Sequence, residues 1–331
     1  MAVIIIAEAG VNHNGDLRRA KAMADAAKRA GADYVKYQTA VPELVVSRFA
    51  QKAGYQKQAT GDGESQLEMV RRLHFNFEGH RELKRYCDDI GIGYLSSAFD
   101  LPSVDLLAEL DLPFFKVPSG EITNLPYLVR VARNRKPVLL STGMSTLPEI
   151  EDAIDLLEQN GAGDITLLHC NTQYPTPFED ANLLAICELA EVFGLPVGYS
   201  DHTAGTACSV GAVALGAVVV EKHFTLDKSL PGPDHGASLD AEELAELVAD
   251  VRACEAALGT GHKRVSASEA ENLVAARKSI VAARDIEAGE AFTEENLAAK
   301  RPGDGISPMR WHEVLGKKAK RGFSEDEPIE L

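Results

Sequence analysis

From Ala2 to Leu258 the chain alternates short, mostly apolar runs with longer stretches whose apolar residues recur at helical spacing. The first run, Ala2 to Ala7, is fully apolar and reads as a buried strand, and Leu17 to Ala30 reads as the helix after it. The pattern continues through strands Asp33 to Gln38, Gly93 to Ala98, Phe114 to Val117, Pro137 to Ser141 and Ile165 to Cys170. Helices are expected over Gly79 to Ile90, Ser103 to Leu110, Leu125 to Arg133, Leu147 to Asn160 and Leu183 to Phe193. Pro196 to Phe224 supplies two more strands around a charge-free crossover helix, Ala204 to Leu215, and Asp240 N-caps a last helix ending at Leu258. Eight units in roughly 255 residues is the number and length that close a parallel sheet into a (β/α)8 barrel. A doubly wound open sheet is the second choice. One connection, Thr39 to Asn76, is far longer than an ordinary strand-to-helix loop and is expected to be an active-site lid or an interface flap.

The last two strands run out into histidines, Gly198-Tyr199-Ser200-Asp201-His202 and Glu221-Lys222-His223-Phe224. Parallel neighbours bring those ends to one edge. Side chains alternate along a strand, so Ser200 and His202 share a face, as do Glu221 and His223, while Asp201 and Lys222 point elsewhere. Two imidazoles converging beside carboxylates suggest a divalent metal with open coordination positions. A barrel also demands that chemistry gather at the C-terminal ends of its strands. Those ends carry Glu8; Lys36 and Gln38; Ser96 and Ser97; Lys116, Ser119 and Glu121; Ser141 and Thr142; and His169, Asn171 and Thr172. A lysine inside an apolar strand such as Tyr34-Val35-Lys36-Tyr37 is costly to bury without an anionic partner, and two of them beside hydroxyls look like a phosphate or carboxylate cradle.

Charge limits the partners. With 34 basic against 50 acidic residues the formal charge is -16, which argues against nucleic acid and anionic membrane surfaces, so an anionic substrate needs local lysines. The five cysteines show no metal spacing and suit reduced thiols in a cytoplasmic protein, and neither a signal core nor a membrane-spanning run is present. The barrel is expected over residues 1-260, a linker over 261-277 and a small β-rich module over 278-331, carrying Lys300-Arg301-Pro302-Gly303-Asp304-Gly305 on a turn. Three reaction classes fit these residues: condensation of a phosphorylated enol with a metal-polarised aldehyde, metal-assisted aldol cleavage, and Schiff-base chemistry at Lys36 or Lys116. The last is weakest, because a lysine holding an anion stays protonated.

Eight motifs in order then narrow the choice: Glu8-Ala9-Gly10-Val11-Asn12-His13-Asn14-Gly15, Val35-Lys36-Tyr37-Gln38-Thr39, Lys116-Val117-Pro118-Ser119-Gly120-Glu121, Ser141-Thr142-Gly143-Met144, His169-Cys170-Asn171-Thr172-Gln173-Tyr174-Pro175, Gly198-Tyr199-Ser200-Asp201-His202-Thr203, Glu221-Lys222-His223-Phe224 and Gly232-Pro233-Asp234-His235. Together they closely resemble the sialic acid synthase family, which joins phosphoenolpyruvate to N-acylated amino sugars, and Lys278 to Leu331 resembles its antifreeze-protein-like (SAF) C-terminal domain. The resemblance implies that His202 and His223 hold a divalent ion, Mn2+ with Mg2+ or Co2+ as substitutes. It assigns phosphoenolpyruvate to Lys36, Ser97, Lys116, Ser119, Ser141, Thr172 and Ser200; Ser97 and Thr172 stand where other members have threonine and asparagine. It assigns the sugar or the metal-bound water to Glu8, Gln38, Glu121, Tyr174 and Asp234, with Glu8, Glu121 and Asp234 as the catalytic carboxylates. It further implies a homodimer whose exchanged C-terminal domain brings Arg301 to the partner's sugar. The sugar expected first is N-acetylmannosamine, giving N-acetylneuraminate; the alternative is 2,4-diacetamido-2,4,6-trideoxy-mannose, giving N,N'-diacetyllegionaminate. Heptulosonate phosphate synthase chemistry, the pseudaminic branch and a non-catalytic sugar-binding barrel are remoter.

Overall fold

The computed structural model describes residues 2–61 and 63–331 and divides the chain into two compact units, Met1–Gly259 and Thr260–Leu331. In the first unit eight parallel strands close on themselves in sequence order: β1 (Ile4–Gly10), β2 (Tyr34–Thr39), β3 (Gly93–Ala98), β4 (Phe115–Val117), β5 (Val138–Ser141), β6 (Ile165–Cys170), β7 (Val197–Asp201) and β8 (Val219–His223). Pairing of β8 with β1, Glu8 opposite His223, completes the ring and removes the open edges that a doubly wound sheet would have. The surrounding helices are α1 (Leu17–Ala30), α5 (Phe77–Ile90), α6 (Leu101–Glu109), α7 (Leu125–Ala132), α8 (Leu147–Gln159), α9 (Ala185–Phe193), α10 (Ala207–Ala214) and α11 (Ala241–Leu258); α2 (Pro42–Val45), α3 (Gly54–Thr60) and α4 (Gln66–Leu73) lie between β2 and α5. None of the described helices is long and apolar enough to cross a membrane.

Local chemistry fixes the ends of these elements. Asp16 caps α1 by accepting from the Arg18 and Arg19 amides, and Gly31 ends it in the left-handed region at φ 86°. Ala20, Met23, Ala24 and Ala27 form its buried stripe. Asp240 caps α11 as expected, accepting from the amides of Glu242 and Glu243 at 3.0 and 2.9 Å. The first strand runs three residues beyond Ala7, because pairing with β2 continues to Gly10 across an irregularity after Glu8. Helix α10 begins at Ala207 rather than Ala204, after Gly205 in the left-handed region at φ 71°.

In the second unit β9 (Ser279–Ala282) and β10 (Leu297–Lys300) pair antiparallel over a core that includes Ile280, Ile286, Phe292, Val314 and Phe323. The stretch expected as a linker, 261–277, belongs to this unit and contains α12 (Ala270–Ala276); α13 (Trp311–Val314) follows.

The long connection after β2 is anchored by three imidazoles. His74 follows α4, His80 lies in α5 and His13 in the loop after β1; Phe75 stacks on His13 at 4.1 Å and meets His80 edge-on at 5.0 Å. Burial pushes His13 and His80 down to about 3 each and lowers His74 as well. Unfolded, each ring titrates near ~6.5, so below that value the unfolded chain takes up protons the folded one rejects, and stability falls as pH drops toward about 3. Each ring contributes up to ~1.4 kcal/mol per pH unit to that fall and nothing above about pH 7. His80→Asn is expected to flatten the decline of the melting temperature between about pH 6.5 and 4 relative to wild type; parallel curves would contradict this account.

Candidate active site

Inward-facing positions change character abruptly between one layer of the barrel and the next. Ile6, Leu95, Phe114, Leu139, Leu168 and Val219 form a buried apolar plug. Two residues further along the same strands stand Glu8, Ser97, Lys116, Ser141, Cys170 and Glu221, with Lys36 of β2 and Ser200 of β7 beside them. Lys36 Nζ lies 2.8 Å from Glu8 Oε2 and 3.6 Å from Glu221 Oε2, and Lys116 Nζ lies 3.7 Å from Glu221 Oε1. The lysines also donate to hydroxyls, Lys36 to Ser97 at 3.1 Å and Lys116 to Ser141 at 2.7 Å, while Ser200 donates to Glu221 at 3.0 Å.

Two cations and two carboxylates thus share a buried layer, and their environments pull them apart. Burial pushes Glu8 up to about 7 against the pull of Lys36. Burial acts the same way on Glu221, but Lys116 and Lys36 together outweigh it and hold that carboxyl down to about 2. Burial alone would lower Lys36, yet Glu221 and Glu8 raise it, whereas Lys116 remains lowered by burial. The floor of the cavity thus carries two ammonium groups, each already facing a carboxylate that an incoming anion would have to displace or share.

Above this floor the histidine rings are centred 5.4 Å apart at 59°, and both line one cavity of about 280 Å³ with the lysines and carboxylates. Tyr174 packs its ring 4.2 Å from His202 and 5.5 Å from His223. His202 Nδ1 donates to the Asn171 carbonyl, so the lone pair that could act as a ligand is on Nε2, 3.5 Å from the Ser200 hydroxyl. His223 Nδ1 is buried without a hydrogen-bond partner. Burial lowers both rings, His202 to about 4, so both stay neutral. A pair of neutral, convergent imidazoles fits a divalent ion. Among the described residues no group of three or more His, Cys, Asp or Glu is gathered for a metal, so its other positions would fall to water and substrate.

Comparison with known proteins agrees with this geometry. The NeuB family model matches residues 23–263, and a SAF domain model matches residues 277–331. The chain belongs to the NeuB family. By that membership it is a phosphoenolpyruvate-dependent nonulosonic acid synthase with a C-terminal SAF domain. It is 52% identical to N,N'-diacetyllegionaminic acid synthase of Campylobacter jejuni over 98% of both chains. Identity is 44% to the synthase of the same name from Legionella pneumophila, over 98% of this chain and 92% of that one. Among solved structures, the N-acetylneuraminic acid synthetase of Leptospira borgpetersenii in complex with citrate superposes with a TM-score of 0.72 at 33% identity, covering 82% of this chain and 90% of that one.

For this NeuB member the cavity gathers Glu8, Lys36, Gln38, Ser97, Lys116, Ser119, Ser141, Thr172, Tyr174, Ser200, His202, His223 and Asp234. One expected residue is not among them, and Arg301 belongs to the expectation for a partner's site alone. Glu121 is not among the lining residues: it closes the turn Ser119–Glu121 and accepts from the Asn124 side chain at 2.6 Å. Arg301 is exposed in the second unit, where its Nε donates to the Ala276 carbonyl at 3.1 Å. Three other strand-end residues are excluded by alternation. Ser96 faces outward to Thr39 at 2.7 Å, His169 bonds the Ala181 carbonyl at 2.9 Å, and Thr142 bonds the Leu168 carbonyl at 3.2 Å. Glu221 was placed beside His223 by the sequence without a role; its position two residues before that histidine was the available signal that it would meet the lysines. Gln56, Met69, Val70, Leu73 and His74, from the connection after β2, had no such signal, since only the folded chain brings them to the cavity.

Lys116→Met leaves Glu221 paired with Lys36 while removing one ammonium from the floor. Phosphoenolpyruvate affinity should fall about tenfold to 100-fold, the range for a lost hydrogen bond to a charged group, with the circular dichroism spectrum unchanged. Calorimetric titration measures it, and unaltered affinity would remove Lys116 from the anion site.

Proposed function

We propose that the chain condenses phosphoenolpyruvate with 2,4-diacetamido-2,4,6-trideoxy-mannose to give N,N'-diacetyllegionaminate and phosphate. The observation that carries the reaction class is the shared cavity of the Lys36–Lys116 floor and the His202–His223 pair. The sugar rests on the names of the relatives at 52% and 44% identity, which favour the alternative over N-acetylmannosamine. The wall agrees: Val11, Met69, Val70, Leu73, Phe99 and Met144 line the cavity with apolar surface, suited to a deoxy methyl group and acetamido methyls rather than to extra hydroxyls.

In this reading Lys36 and Lys116, with Ser97, Ser119, Ser141, Thr172 and Ser200, hold the phosphate and carboxylate of the enol substrate. His202 and His223 would hold a divalent ion, Mn2+ in our proposal, which when bound supplies Lewis-acid polarisation of an aldehyde oxygen, worth several kcal/mol. Gln38, Tyr174 and Asp234 orient the open-chain sugar so that its aldehyde carbon faces C3 of the enol. As the new carbon-carbon bond forms, C2 becomes electron-poor and accepts water. Glu8, which accepts from Gln38 Nε2 at 3.4 Å and is raised to about 7, orients that water and receives its proton. The tetrahedral intermediate then expels phosphate by cleavage of the C–O bond, its remaining C2 hydroxyl proton passing to the departing phosphate and leaving the ketone. Asp234, pushed up to about 6 by burial, is placed in the same cavity to carry the proton that the sugar alkoxide takes up. The proposal retains a homodimer in which Arg301 completes the partner's sugar site, and it leaves Glu121 without a catalytic step.

Turnover of the two sugars under identical conditions tests the substrate. The kcat/KM for the diacetamido trideoxy sugar should exceed that for N-acetylmannosamine by about tenfold or more, and the reverse order would restore N-acetylneuraminate as product. In 18-O water the label should enter the ketone of the product and not the phosphate; labelled phosphate would refute C–O cleavage. Mixing Arg301→Ala chains with His223→Ala chains should partly restore activity through heterodimers, and no recovery after verified subunit exchange would count against a shared site.

A further inference from the structure

On the outer face of the barrel wall, the two strands that carry the histidines are joined by a buried ion pair that takes no part in the proposed reaction. Asp201 and Lys222 are register partners in β7 and β8, and each immediately precedes a histidine. Lys222 Nζ lies 2.9 Å from Asp201 Oδ2, with the two side chains 1% and 0% exposed. Asp201 Oδ1 accepts from the Thr203 amide at 2.8 Å and its hydroxyl at 2.7 Å, and Oδ2 accepts from Ser209 of α10 at 2.6 Å. Lys222 Nζ also donates to the Thr203 carbonyl at 2.6 Å.

The place of this pair in the ladder gives it meaning. Pairing of β7 with β8 ends at the rung Asp201↔Lys222, so His202 lies one residue past the last point at which the strands are joined and His223 is the final residue of its strand. Beyond that rung His223 is held by its register partner Glu8 in β1 and His202 by the Thr176 amide at 2.8 Å, but no β7–β8 rung joins the two directly. The ion pair links them from behind, by tying Lys222 to the residues on both sides of His202. A buried ion pair is weak support for stability, because desolvation cancels most of its attraction, and its use is better sought in a defined geometry. We propose that Asp201 and Lys222 are positioning residues that set the spacing at which His202 and His223 present their nitrogens to one divalent cation. This rests on the metal reading given under Proposed function.

The test uses the full-length chain, stripped with chelator, and Mn2+ as the probe, with the free-ion electron paramagnetic resonance signal reporting binding. In Asp201→Asn/Lys222→Met the asparagine still accepts from Thr203 and the methionine keeps most of the lysine stem, so the metal-free melting temperature should stay close to that of wild type. Mn2+ affinity should fall about tenfold or more, the scale of lost support behind metal-binding histidines, while metal-free phosphoenolpyruvate affinity changes by less than about twofold. Lys222→Met alone is the second arm: Asp201 keeps its donors from Thr203 and Ser209, and Mn2+ affinity is expected to weaken about threefold or more even if the double variant fails to fold. A folded variant that binds Mn2+ like wild type would overturn the proposal. So would parallel loss of Mn2+ and phosphoenolpyruvate, which would mean general loosening. Wild-type chain that binds no Mn2+ would overturn the metal reading and the inference together, an outcome distinguishable from failure of the tie alone.

Discussion

The site depends on keeping four ionised or ionisable groups buried together at the mouth of the barrel. Lys36, Lys116, Glu8 and Glu221 are all nearly inaccessible, and each would be costly to bury alone. They coexist because each lysine meets a carboxylate and a hydroxyl, and because the apolar plug beneath closes off any other way down the barrel. The electrostatic cost of the layer is offset by helix and strand packing elsewhere. The function-bearing part of the molecule is thus its least self-sufficient part, held by the closure of the sheet around it.

This layer also sets how an anion can be received. The ammonium groups are already engaged by internal carboxylates, so a phosphate must displace a carboxylate from the lysines or share them with it. Glu221 is held low by both lysines, while burial raises Glu8 against the pull of Lys36. The two carboxylates are therefore unequal: the one on β8 anchors the lysines, and the one on β1 is the one whose proton can come and go.

Much of this was legible in the sequence, and the reason is periodicity. Apolar runs separated by amphipathic helices give eight parallel strands, and a period of two assigns each strand-end residue to the pocket or the wall. That rule placed Ser200, His202, Glu221 and His223 together and sent Asp201 and Lys222 outward, as observed. Applied to every strand, it also excludes Ser96 and His169, which proximity to a strand end alone had kept as candidates. Glu121 escaped such reasoning because it lies in a turn beyond its strand, where alternation no longer holds. Helix starts were misjudged where a loop residue rather than an apolar position fixed the boundary, as at Gly205 before α10. The wall contributed by α3 and α4 could not be read at all, since its contacts span the chain between β2 and α5.

That segment meets the rest of the molecule mainly through loops. Val11 packs with Met69 and Leu73, and Gly15 passes so close to the last turn of α4 that a Cβ there would stand 2.6 Å from the Arg72 carbonyl. Gly15 is also in the left-handed region at φ 74°, so no other residue fits that junction without moving one side of it. The ionic layer, by contrast, is built entirely from barrel strands. A graft of the segment between Ala40 and Phe75 from a relative could therefore reshape that side of the cavity without touching the lysines. In this architecture part of the apolar cavity wall and the ionic floor come from separate pieces of chain.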